Sequence, residues 1–221
     1  MQMTKQPSVK GLILPAIALC TLFASGNVAQ AALVNYSFTG SVGSVSGALK
    51  STLPLSSTMT GSFQFDTATS ASGAGRYFDA VKNLSVTIGA YTVNLDPLGS
   101  TNVVQITDNP TGDLWRLKTS VIGNSIGEFT PEHFRVDFAD EDGAAITGKS
   151  LKNPPGLGDL TSTHWRLVFE NVDGKTVRIQ GVLNSLTAVP LPAAVLLFGA
   201  GLISLVGLGA GGFRNLRSTQ A

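Results

Sequence analysis

The chain has 221 residues, 43% hydrophobic and 13% charged, with a formal net charge of +1. Two apolar stretches, residues 11–26 and 193–213, hold much of that hydrophobicity, and segments of this kind are set aside before a core is sought. The body between them, residues 32–187, carries eleven basic and fourteen acidic residues, net −3; it shows no Lys/Arg stripe, which removes nucleic acid from the expected partners.

At the start, Lys5 and Lys10 precede the first apolar run, and Ala29-Gln30-Ala31 offers a small-x-small cleavage site. Residues 1–31 therefore read as a signal peptide, cut by signal peptidase after Ala31, with Ala29 and Ala31 the recognised positions. The run is short for a bilayer span of ~20 residues, which argues against an uncleaved anchor. A lipoprotein signal ending at Cys20 would want a small residue where Leu19 stands. Cys20 is the only cysteine and leaves with the signal, so the mature chain forms no internal disulfide and its stability rests on core burial.

Along the body, apolar residues recur at every second position: Val34, Tyr36 and Phe38; Gly61, Phe63 and Phe65; Leu84, Val86 and Ile88; Phe134, Val136 and Phe138; Trp165, Leu167 and Phe169; Val177, Ile179 and Gly181. That is the period of strands with one buried face. Further strands are expected over 91–95, 103–107 and 114–121, and no 3.6-residue stripe competes with them. The expected fold is all-β, an antiparallel β-sandwich or jelly-roll-like domain of roughly eight to ten strands. Asp173-Gly174 reads as a hairpin turn, Asp140-Glu141-Asp142-Gly143 as a second turn, and residues 66–75 and 148–162 as longer loops.

Candidate chemistry in the body is sparse. The acids at 140–142 offer oxygen ligands for calcium but lack the spaced loop pattern of a real calcium site, and a solvated turn is the simpler reading. Gly123-Asn124-Ser125-Ile126-Gly127 has the form of a nucleophile elbow, yet the sequence after it leads into a strand rather than a helix, with only His133 and His164 available as bases. Trp115 and Trp165 invite a sugar-stacking role, but both fall in the buried phase of their strands. No catalytic, cofactor-binding or metal-binding residue is assigned, no cofactor is implied, and an enzyme is not expected.

The end of the chain is more informative. Residues 193–213 form 21 consecutive uncharged positions, a helix of ~32 Å against a hydrocarbon core of ~30 Å. Arg214 and Arg217 follow as stop-transfer charges, which puts the extreme C-terminus in the cytoplasm and the body outside. Gly207 and Gly211 stand at small-xxx-small spacing. Val189-Pro190-Leu191-Pro192-Ala193 precedes the span, its prolines fixing where a helix begins.

Box, glycine-rich span and basic end, in that order, resemble the PEP-CTERM sorting signal of exosortase substrates, with leucine where the commoner box has glutamate. Stretches of the body, such as Gly61-Ser62-Phe63-Gln64-Phe65-Asp66-Thr67, are similar to the β-rich bodies of such proteins. The resemblance implies that an exosortase-type transpeptidase cleaves near the box. It also implies that the protein sits in the inner membrane before processing, then at the cell surface or outside, in association with exopolysaccharide.

The organisation read from the sequence is thus a signal peptide (1–31), an extracytoplasmic β-domain (32–187) and a sorting signal (188–221, span 193–213, basic end 214–221). The functional expectation is an exported surface or extracellular-matrix protein of a biofilm. A secreted glycan-binding module, calcium-dependent or not, is the second expectation, and a carbohydrate-acting hydrolase the third.

Overall fold

The computed structural model describes residues 33–190. They form ten strands: β1 (Leu33–Val45), β2 (Thr58–Asp66), β3 (Arg76–Phe78), β4 (Val81–Ile88), β5 (Tyr91–Leu95), β6 (Asn102–Thr107), β7 (Asp113–Gly123), β8 (Thr130–Asp140), β9 (Ser162–Glu170) and β10 (Thr176–Val189). Only two 3-10 turns, Gly47–Leu49 and Leu157–Asp159, interrupt the β-structure among the described residues. The expected all-β, antiparallel class is what the chain adopts.

The sheet closes on itself. Its order runs β7-β5-β4-β2-β1-β10-β9-β8, and β8 pairs back onto β7, giving an eight-stranded antiparallel barrel. β7 makes the closure possible because it is long: Val121–Gly123 pairs with β5, Leu114–Thr119 pairs with β6 on the same edge, and Asp113–Ser120 pairs with β8 on the other. β3 extends the β6 side as a short flap.

The expected sandwich or jelly roll is therefore corrected to a closed barrel. Period-2 alternation is identical in both, because each buries one face of every strand. Only the pairing of β7 separates them.

The buried phase is the one the alternation indicates. Tyr36, Phe38, Phe63, Phe65, Trp115, Phe134, Phe138, Trp165 and Phe169 all point inward. Tyr36 and Phe63 stack at 5.3 Å, Phe38 and Phe134 at 6.1 Å, and Trp115 meets Phe138 edge-on at 5.5 Å. An eight-stranded barrel is just wide enough for side chains to fill, and each such ring stabilises the fold by on the order of 1.5–3 kcal/mol. Glycine makes room for them: a Cβ at Gly61 would lie 2.4 Å from Phe38 Cζ.

Both mouths are covered by polypeptide. At one, Leu49 and Leu53 of the segment after β1 are fully buried. At the other, residues 141–161 fold across the opening; Trp115 Nε1 donates to the Lys152 carbonyl at 3.1 Å, and Tyr77 Oη donates to that of Lys149. β1 begins and β10 ends at this second mouth, with Asn35 opposite Val189. No helix among the described residues is long and apolar enough to cross a membrane; the expected signal peptide and the span at 193–213 lie outside the described residues.

Candidate functional site

With the interior occupied by rings, chemistry is left to the outer surface. On β7 to β10 the outward phase is charged, and the register brings distant residues side by side. One cross-strand row runs Gln105, Arg116, Asp137, His164 from β6 to β9. The next runs Lys118, Arg135, Arg166, Gln180, Ser44 from β7 through β10 to β1. A third places His133, Val168 and Arg178 in line. Five of the body's eleven basic residues thus stand on four adjacent strands.

This corrects the reading of the body as having no basic stripe. The stripe crosses the strands instead of following the chain.

Asp137 is the acid at the centre of this wall, and it is 7% exposed. Arg116 Nε donates to its Oδ1 at 2.6 Å, while Arg135 holds it through Nε (2.9 and 2.8 Å to the two oxygens) and through Nη2. Burial pushes this carboxyl up, but the hydrogen bonds from Arg135 and then Arg116 outweigh it and hold it below the usual carboxylate range. Lys118, Arg166 and Arg178 are treated differently. Among the described residues, no hydrogen bond or ion pair reaches their charged ends.

Lys118 is directly opposite Arg135, and Arg135 directly opposite Arg166. Like charges so placed destabilise a sheet. The Arg166 guanidinium is depressed from its ordinary pKa by burial first and then by Arg135.

Arg166 also separates two grooves. The first, about 410 Å³, lies along β9, β10 and β1 between His164, Gln180 and Ser44. Its floor is open because Gly43, at an irregularity of the β1–β10 ladder, has no side chain; an added Cβ there would meet only backbone atoms at 3.8 Å. The second, about 450 Å³, lies between Arg166, Arg178, His133, Glu132 and Ser46. His133 Nδ1 meets Glu132 Oε2 at 2.8 Å, and burial lowers the imidazole pKa despite the opposing pull of that carboxylate.

The acid-lined end is built on another plan. Asp140 accepts from the amides of Ala144 and Ala145 at 2.8 and 3.0 Å and from Thr161 Oγ1 at 3.1 Å. Asp113 accepts from the amides of Asn109 and Ile146, and Asp108 from that of Gly148. The hydrogen bond from Asp142 and the Ala144 amide bring Asp140 down to about 2, while the shared proton and the Asp140 charge raise Asp142. These oxygens pin residues 141–161 across the barrel mouth. Among the described residues, no group of three or more His, Cys, Asp or Glu is arranged to hold a metal ion.

The remaining sequence candidates fall as follows. Ser125 lies in the turn between β7 and β8, where its hydroxyl meets Thr130 Oγ1 at 3.1 Å; a strand follows, and His133 is engaged with Glu132. Trp115 and Trp165 are each 1% exposed, so neither ring offers a face to a sugar, and Trp165 Nε1 donates to the Val182 carbonyl. Of the sorting box, Val189 ends β10 and Pro190 follows it, exposed. Leu191, Pro192, Ala193, Arg214, Arg217, Ala29 and Ala31 lie outside the described residues. Sequence reasoning missed the Arg116, Lys118, Arg135, Arg166 and Arg178 wall, although each of the five occupies the outward phase of an alternating run.

Comparison with protein-family models, with curated proteins and with solved structures returns no match for this chain.

Proposed function

We propose that this chain is an exported envelope or matrix protein that works by binding rather than by catalysis, delivered by its signal peptide and sorted by its C-terminal tail. One observation carries the binding part of this reading. Every buried side-chain nitrogen and oxygen among the described residues has a partner, yet three cations on one outer wall are left without one. A fold that meets its internal polar needs so completely gains nothing from opposed like charges, so their use lies with a molecule outside it.

The sorting part rests on the tail's resemblance to exosortase substrates, and the position of Pro190 agrees with it. β10 is paired through Val189, and Pro190, which lacks an amide hydrogen, cannot continue the ladder as a donor. The box therefore begins where the sheet stops.

Cell fractionation of the native host, with mass spectrometry of the mature C-terminus, tests this. The expected mature form ends near Pro192 and is recovered from the surface or the medium. Recovery of a surface form that still contains Arg214 would reduce the tail to an anchor. Unchanged localisation after deletion from Pro190 onward would remove the sorting role.

A further inference from the structure

The wall on β7 to β10 has a geometry that narrows what it binds. Lys118, Arg135 and Arg166 stand in a straight cross-strand row, with successive strands ~4.8 Å apart. The two cations of the row that are not committed to Asp137, Lys118 and Arg166, are therefore two strand spacings apart, ~9.6 Å, close to the length of two pyranose rings along a chain. Beyond Arg166 the row continues into neutral hydrogen-bonding groups, Gln180 and Ser44, which line the groove floored by Gly43. Among the outward residues of these four strands there is no Phe, Tyr or Trp, so the large-ring stacking platform of a single-stranded nucleic-acid site is missing there.

A block of cations continued by neutral donors and acceptors suits a ligand that carries carboxylates and hydroxyls together. We infer that this wall binds a linear carboxylated polysaccharide, its acid groups held by Arg166, Arg178 and Lys118 and its hydroxyls by Gln180 and Ser44. The inference deepens the binding reading above and rests on it.

Arg166 carries the recognition. It borders both grooves, no hydrogen bond or ion pair reaches its side chain among the described residues, and a guanidinium presents the planar fork that a carboxylate matches. Arg116 and Arg135 are committed to Asp137 and hold the wall in shape. A bound acid group would also relieve the repulsion between Arg135 and Arg166, so occupancy and stability rise together.

The test uses the full chain in a neutral detergent, with polygalacturonate and its methyl ester as paired probes. The expected result is binding of the acid form at least roughly tenfold tighter than the ester, weakening as salt is raised. The double variant Arg166→Gln with Arg178→Gln should lose roughly tenfold or more in affinity while its thermal midpoint stays level or rises. Gly43→Trp, which keeps every charge but fills the first groove, should weaken binding as well.

Equal binding of acid and ester, no binding of either, or full binding by the double variant would overturn the inference. So would duplex DNA binding more tightly than polygalacturonate, which would mark a nucleic-acid surface. None of these outcomes touches the fractionation and C-terminal measurements, so the export reading stands or falls separately.

Discussion

The cationic wall and the acid-lined mouth are the two most charged regions of the barrel, and they are built in opposite ways. At the mouth, Asp108, Asp113 and Asp140 accept from the amides of the loop that closes the barrel, and their charge is consumed in folding. On the wall, one acid holds Arg116 and Arg135, while Lys118 and Arg166 flank Arg135 without an acid of their own among the described residues. The difference shows that density of charge says little about function. What distinguishes a structural from a binding region is whether the fold itself supplies the partners.

That contrast can be broken most directly at Asp137, where wall and fold meet. Asp137→Ala should leave Arg116 and Arg135 without a counter-charge and cost about 3 kcal/mol or more, read as a lower denaturant midpoint. A loss below ~1 kcal/mol would mean that the ion pairs act as exposed ones and that the wall is not held by Asp137.

Asp113→Ala comes next, with an expected loss of about 2 kcal/mol from two stranded amides. Limited proteolysis should then cut within residues 141–161 before the barrel. Uniform resistance across that loop would show that the aspartates do not latch it.

Acid should weaken the two regions in sequence. His133 is depressed below 6.5 in the fold, so its contribution is complete above that pH and is lost as pH falls through the lower folded value. Asp137 and Asp140 are also depressed, so their stabilisation is complete above ~4 and is lost below it, toward about 2 for Asp140. Asp142, raised by its neighbour, works the other way and blunts the first part of that fall. Thermal melts from pH 7 to 2 should show an early step that His133→Gln removes and a later one that it does not.

The smallest effect is expected at Arg166. Arg166→Gln should raise stability by up to ~1 kcal/mol through relief of the Arg135 contact, whereas a clear loss would show that its charge has an internal partner after all.

Much of the core was legible in the sequence. Phe134, Val136 and Phe138, or Trp165, Leu167 and Phe169, declare their buried phase by alternation alone, and Asn171 forms its turn as the local chemistry requires, accepting from the amides of Asp173 and Lys175. Closure was not legible, because nothing local to β7 states which strands take its two edges. Leu49 and Leu53 were hidden for another reason: they plug a mouth from a segment with no period.

The wall was the least legible feature. Arg135 and Arg166 are far apart in sequence, and only the pairing of β8 with β9 and its register make them neighbours. Outward phase could be read for each residue singly. Adjacency could not.

The pairing of Asn35 with Val189 has a mechanical consequence. Because the barrel's first and last strands are adjacent and antiparallel, tension applied between residues 33 and 190 would open the β1–β10 ladder one hydrogen bond at a time, the weakest direction in which to load a sheet. Tension entering at residue 190 alone, against drag on the barrel, runs along β10 and is shared by many ladder bonds with β1 at once. A body held from its C-terminal side with its other end loose is therefore loaded in shear. Force spectroscopy with the two attachment geometries should find the single-ended pull much the more resistant.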